Sequence, residues 1–140
     1  MVAEFSESGV SFQYPSTWTA EREELDDGWT VTVQSPGTAF FMLCLRSDAP
    51  DCSELAQQTI KDLSEVYPDL ESEPVAASIA GQPAIGHDIR FFSFDLTNSC
   101  WTRCVDAVEG TVLLMWQCSD LDLEQYEPAL RAIVASLQIE

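Results

Sequence analysis

Hydrophobic and polar positions alternate with period two over Gly9-Val10-Ser11-Phe12-Gln13-Tyr14-Pro15, a strand that stops at a proline as an edge strand can. Trp29, Val31 and Val33 alternate with Thr30, Thr32 and Gln34, which predicts a strand with one buried face. Pro36-Gly37 marks a turn. Residues 39–45 are then apolar on both parities, the pattern of a central strand covered on both sides. From 53 to 67 the period changes. Leu55, Ala56, Ile60, Leu63 and Val66-Tyr67 form one stripe of an amphipathic helix, with Asp51 or Ser53 as N-cap and Pro68 beyond its last turn.

Further strands are predicted near 75–79 and, after a Gly81-Gln82-Pro83 turn, from 84 to about 94. Residues 98–107 and 111–118 read as a hairpin around Glu109-Gly110. A final helix opens at Asp120 or Asp122 and turns Leu123, Tyr126, Leu130, Ile133, Val134 and Leu137 inward, with Pro128 in its early part. The order β-β-β-α-β-β-β-β-α, joined by hairpin-length connections, predicts an α+β fold: a mainly antiparallel sheet of six to seven strands with two helices. No repeat or linker interrupts the chain, so 1–140 is read as one domain, with 1–8 a candidate disordered lead-in. With two helices on so wide a sheet, part of one face is expected to be bare.

Charge narrows the partners. Twenty-four Asp plus Glu against six Lys plus Arg give a net −18, and Lys61 is the one lysine. Such a field repels phosphate backbones and anionic lipid, so neither nucleic-acid binding nor a polybasic membrane patch is expected. No window of 18 apolar residues predicts a spanning helix. Met1 to Gly9 lacks the basic and apolar regions of a signal peptide, so the expected location is the cytoplasm; a chain trimmed of its leader would read the same. The acidic cluster Glu21, Glu23, Glu24, Asp26 and Asp27 reads as a charged turn between strands.

Candidate chemistry is sparse. Cys44, Cys52, Cys100, Cys104 and Cys118 are odd in number and contain no C-x-x-C. Cys100 and Cys104 lie on one strand, about 13 Å apart at strand rise, too far for a disulfide. A two-residue Glu109-Gly110 loop sets Trp101 opposite Cys118, Arg103 opposite Trp116 and Cys104 opposite Met115. Cys100 and Cys118 then face opposite sides. Cys44 and Cys52 flank a short loop and would bridge in an oxidising compartment; otherwise all five are small buried hydrophobes. His87 sits on the apolar parity of Ile85, Ile89 and Phe91. No Gly-x-Ser-x-Gly, phosphate loop or His-Glu-x-x-His is present, so no catalytic residue is assigned, and neither a metal nor another cofactor is implied.

Gly9-Val10-Ser11-Phe12-Gln13-Tyr14-Pro15-Ser16-Thr17-Trp18 resembles the opening "strand, Tyr-Pro, two residues, Trp" of PsbP-like and Mog-like α/β/α sandwich domains. Ile79-Ala80-Gly81-Gln82-Pro83-Ala84 is similar to their Gly-x-Pro-Ala turn, and Ile133-Val134-Ala135-Ser136-Leu137 to their closing Ile-x-x-Ser-Phe segment. The resemblance implies a generally non-catalytic domain: extrinsic photosystem subunits, binders of small GTPases, DcrB-like lipoprotein ectodomains and Eag-type toxin chaperones share it. It carries no functional residue over to this chain.

The expected function is therefore a non-enzymatic interaction or chaperone-like module. It would bind a protein or peptide, basic or amphipathic, through a sheet face bearing Trp29, Trp101, Arg103 and Trp116, or pair as a homodimer. The alternative is a small-ligand or metal-binding domain that uses His87 and the cysteines in a sheet–helix cleft.

Overall fold

The computed structural model describes residues Met1–Glu140. Its elements are β1 (Val2–Glu7), β2 (Val10–Pro15), β3 (Thr19–Leu25), β4 (Gly28–Gln34), β5 (Phe40–Arg46), α1 (Cys52–Val66), β6 (Glu71–Ile79), β7 (Gln82–Ser93), β8 (Leu96–Ala107), β9 (Gly110–Ser119), α2 (Leu123–Ala135) and β10 (Gln138–Ile139). Seven strands make one antiparallel sheet in the order β3-β4-β5-β9-β8-β7-β6, and β1-β2-β10 make a second, smaller one. The α+β, mainly antiparallel architecture with two helices is as the pattern predicts. Asp51 caps α1 by accepting from the Glu54 N–H, one of the two caps expected.

Alternate residues of each strand face opposite sides of the large sheet. On one side Val33, Phe41, Leu43, Val112 and Leu114 are fully buried beneath the small sheet and α2, which contributes Leu130 and Ile133. Phe12 of β2 meets Phe41 edge-on at 5.0 Å, joining the two sheets. Trp18 closes the end of this core against Tyr126 of α2. On the other side α1 lies over β7 and β8, burying Ile89, Phe91, Cys100 and Cys104. Thr30, Thr32, Phe40 and Met42 of the same side stay half-buried, with no helix over them.

Four expectations need correction. Most of the tryptophan side is covered, because the small sheet supplies a cover that a count of helices alone omits; it stays open there only at the outer strands β6 and β7, and the other side is open over β4 and β5. Two strands were not expected. Residues 2–7 form β1, paired along its length with β2 and packing Phe5 on Phe12 and Trp29, so the lead-in is ordered. The acidic cluster is mostly β3, and only Asp26-Asp27 turns; charge along an outermost strand discourages pairing with another chain. The β8–β9 turn is Val108-Glu109 rather than Glu109-Gly110, which shifts the register by two and keeps every residue on its expected side.

Candidate functional site

Antiparallel register strings residues into rows across the sheet. One row on the tryptophan side reads Ala20, Val33, Phe41, Trp116, Trp101, Asp88, Glu73. Val33 and Phe41 are fully buried, Trp116 is 9% exposed, Trp101 is half-buried, and the row ends on two carboxylates. The next row ends Cys118, Ser99, Arg90, Glu71. Beyond α2, where the apolar cover stops, the two row ends form a groove. Its wider part, about 470 Å³, is lined by Glu71, Glu73, Asp88, Arg90, Ser99 and Trp101, among others. A narrower part of about 200 Å³ runs between Trp101, Arg103 and Trp116 and the side of α2 that carries Glu127, Leu130 and Arg131. Trp101 belongs to both.

Trp101 and Trp116 stack, with ring centroids 6.2 Å apart and planes at 16°. They oppose each other directly, where Cys118 had been expected opposite Trp101. Arg103 opposes Leu114, and its guanidinium lies 5.7 Å from the Trp116 ring centre, within cation–π range. That guanidinium is engaged inside the protein: Nη1 donates to the carbonyls of Thr102 (2.8 Å) and His87 (3.3 Å), and Nη2 to Asp88 (2.9 Å). Arg90 donates to Asp120, which also accepts from the Ser99 hydroxyl, and Arg131 donates to Glu127.

Each arginine of the groove thus has its own carboxylate, while Glu71 and Glu73 take part in no ion pair. Glu73 stands directly opposite Asp88, a like-charge cross-strand pair that costs stability. The result is an aromatic floor beside uncompensated negative charge. That surface suits a cation carried next to an apolar group. Trp29 is elsewhere: it is buried under Phe5, with Nε1 donating to Ser8 and Arg22 over its ring. The structure therefore brings together three of the four residues expected to bind a partner.

His87 lies on the other side of the sheet, buried beside α1. Burial, and secondarily Arg103, hold its pKa below the ordinary value. The cysteines do not gather around it, and no group of three or more His, Cys, Asp or Glu side chains is placed to hold a metal ion. All five thiols are free, and Cys44 and Cys52 are not bridged. Burial pushes the Cys100 and Cys104 thiols up to about 12. Cys52 rises to about 11 through burial and its contact with Asp106, so none is an activated nucleophile.

Cyanobacterial PsbP (CyanoP) from Synechocystis sp. PCC 6803 superposes with a TM-score of 0.64 at 12% identity, covering 99% of this chain and 92% of that one. The fold is PsbP-like. PA94, a protein of unknown function from Pseudomonas aeruginosa, matches at 0.60 and 15% identity over 99% and 97% of the two chains. LpqN, involved in cell envelope biogenesis of Mycobacterium tuberculosis, matches at 0.58 and 13% over 99% and 91%. No family model matches the chain, and no curated protein matches it in sequence. Within this PsbP-like frame, the groove sits where α2 ends its cover of the sheet.

Glu71, Glu73, Asp88 and Arg90 escaped the sequence reading. The sequence points to a turn at Gly81-Gln82-Pro83; the structure turns one residue earlier, at Ala80-Gly81, with positive φ angles of 53° and 77°. Pairing outward from that turn sets Glu73 beside Asp88 and Asp88 beside Trp101.

Proposed function

We propose that this protein is a non-enzymatic binding module whose groove takes a basic, amphipathic segment of a protein or peptide partner. One observation carries the reading: the Phe41–Trp116–Trp101 row ends in Asp88 and Glu73, with Glu71 alongside, and neither glutamate has a cation of its own. A lysine or arginine of the partner lies over Trp101 and pairs with Glu73, while a neighbouring apolar side chain enters the narrower part beside Leu130. The net charge of −18 steers such a partner in and repels acidic ones. A chaperone or accessory role of the kind the sequence resemblance implies would use the groove in this way.

The test is a titration of the intact protein with a synthetic Lys- and Leu-rich amphipathic peptide, followed by tryptophan fluorescence. Saturable binding is expected, weakened about thirtyfold by Trp101→Ala. Glu71→Gln with Glu73→Gln should weaken it further and flatten its salt dependence. Equal affinity for a Glu- and Leu-rich peptide, or no effect of Trp101→Ala, would overturn the assignment.

A further inference from the structure

A second cleft, of about 350 Å³, opens on the other side of the sheet between the first turns of α1 and the outer strand β6. Ala56 and Gln57 line it from the helix, Val75 and Ala76 from β6, and Ile85 and His87 from β7. None of its nine lining residues is Asp, Glu, Lys or Arg, although such residues make up 21% of the chain. It is an uncharged recess in an acidic surface.

At this cleft β7 presses unusually close to β8. A Cβ on Gly86 would stand 1.8 Å from the Thr102 carbonyl oxygen, so only glycine permits the approach. The His87 N–H donates to the Thr102 hydroxyl (3.1 Å), and the His87 carbonyl accepts from Arg103. The backbone that carries the imidazole is thus held by side chains as well as by the ladder. His87 is 6% exposed and lines the cleft, and its Nδ1 is sealed away with no hydrogen-bond partner. A sealed lone pair is tolerated more readily than a sealed N–H, which puts the ring proton of the neutral imidazole on Nε2, the ring nitrogen that is not sealed and that makes no hydrogen bond within the protein.

We propose that this cleft binds a small neutral molecule with an apolar body and a carbonyl oxygen, the oxygen accepting a hydrogen bond from His87 Nε2. The body lies against Ala56, Pro74, Ala76 and Ile85. An anionic ligand is disfavoured, since no cation lines the cleft and the protein's own charge opposes it. The assignment is independent of the tryptophan groove, with which the cleft shares no residue.

Acetophenone and ethylbenzene, alike in shape and different in the carbonyl, are the probes, titrated into the intact protein and followed by NMR at the His87 ring and the Gln57 and Ala76 amides. Acetophenone should bind saturably and about tenfold more tightly than ethylbenzene, the contribution of one neutral hydrogen bond. His87→Phe should bring the two probes within about twofold of each other, and Ala76→Trp, at an exposed strand position, should abolish both. The tryptophan variant decides the matter even if the histidine variant does not fold. The site is overturned if acetophenone gives no saturable shift, if wild type binds the two probes alike, or if binding survives Ala76→Trp. Persistence of the tenfold preference in a folded His87→Phe protein would overturn it as well.

Discussion

Thr38, in the loop between β4 and β5, holds the Asp122 carboxylate with both its N–H (3.1 Å) and its hydroxyl (2.8 Å), and the same hydroxyl accepts from the Ser119 N–H (3.1 Å). Asp122 is the N-cap of α2 but makes no side-chain capping bond to its own helix. Its charge fastens the helix to the sheet instead. Thr38→Val keeps the shape and removes the hydroxyl's bonds, so it should cost about 1–3 kcal/mol in urea unfolding with an unchanged m-value. Thr38→Ser should keep most of that stability.

Gly86 and Gly81 should respond differently to alanine. At Gly86 the new methyl group meets the Thr102 carbonyl and the Arg103 Cα, both backbone atoms that cannot yield without prising β7 from β8. Gly86→Ala should therefore cost about 3 kcal/mol. At Gly81 nothing lies within 4 Å, and the strain comes only from a φ of +77°. Gly81→Ala should cost about 1 kcal/mol. Equal losses in paired thermal melts would refute this account of β7.

His87 makes stability depend on pH in a defined direction. Its pKa in the folded protein is lowered, so below its ordinary value of 6.5 the unfolded chain takes up a proton that the native state refuses. The contribution is fully present above 6.5 and is lost as pH falls through the folded pKa. His87→Phe also removes the unpartnered Nδ1. At pH 7 the variant should be as stable as wild type or slightly more so, and wild type should lose more stability than the variant between pH 7 and pH 5. Parallel pH profiles would show that the ring does not titrate as described.

Much of this was legible locally, and what was missed depended on distant contacts. Asp51 and the Leu55–Leu63 stripe are enough to place α1. Strand parity gathers Trp101, Arg103 and Trp116 correctly, because a two-residue error in register leaves parity unchanged. That error arose because Gly110 looks like a turn residue. Its actual constraint is tertiary: a Cβ there would stand 2.1 Å from the Arg46 carbonyl oxygen of β5. Glu21-Arg22-Glu23-Glu24 reads locally as a turn because nothing in it shows that β4 pairs with it. Likewise, no local pattern tells which side of the large sheet β1, β2 and β10 will cover.

The thiols should react in an order set by access. Cys44, Cys100, Cys104 and Cys118 are buried, while Cys52 at the start of α1 is half-exposed. With Ellman's reagent at pH 8, Cys52 should react first, though slowly for a surface thiol because its pKa is pushed up to about 11. The other four should wait for denaturant. Fast release of two or more thiols from native protein would contradict the burial described.

Trp116 and Trp101 should separate stability from binding. Trp116→Ala empties a buried site and should cost about 3–5 kcal/mol. Trp101→Ala, at the half-buried rim, should cost roughly a third of that, so that its effect on peptide binding can be read in a folded protein.

The two outer strands of the large sheet are unlike. One carries the ionic side chains Glu21, Arg22, Glu23 and Glu24 in succession; the other carries Glu71 and Glu73 at its start, then Pro74 and the uncharged stretch Val75, Ala76 and Ala77. Anything that lengthens this ribbon by backbone pairing has one short uncharged stretch to join, beyond Pro74, and finds the opposite border charged along its middle. Growth through this sheet is therefore disfavoured beyond one added strand, since the border left outward is the charged one.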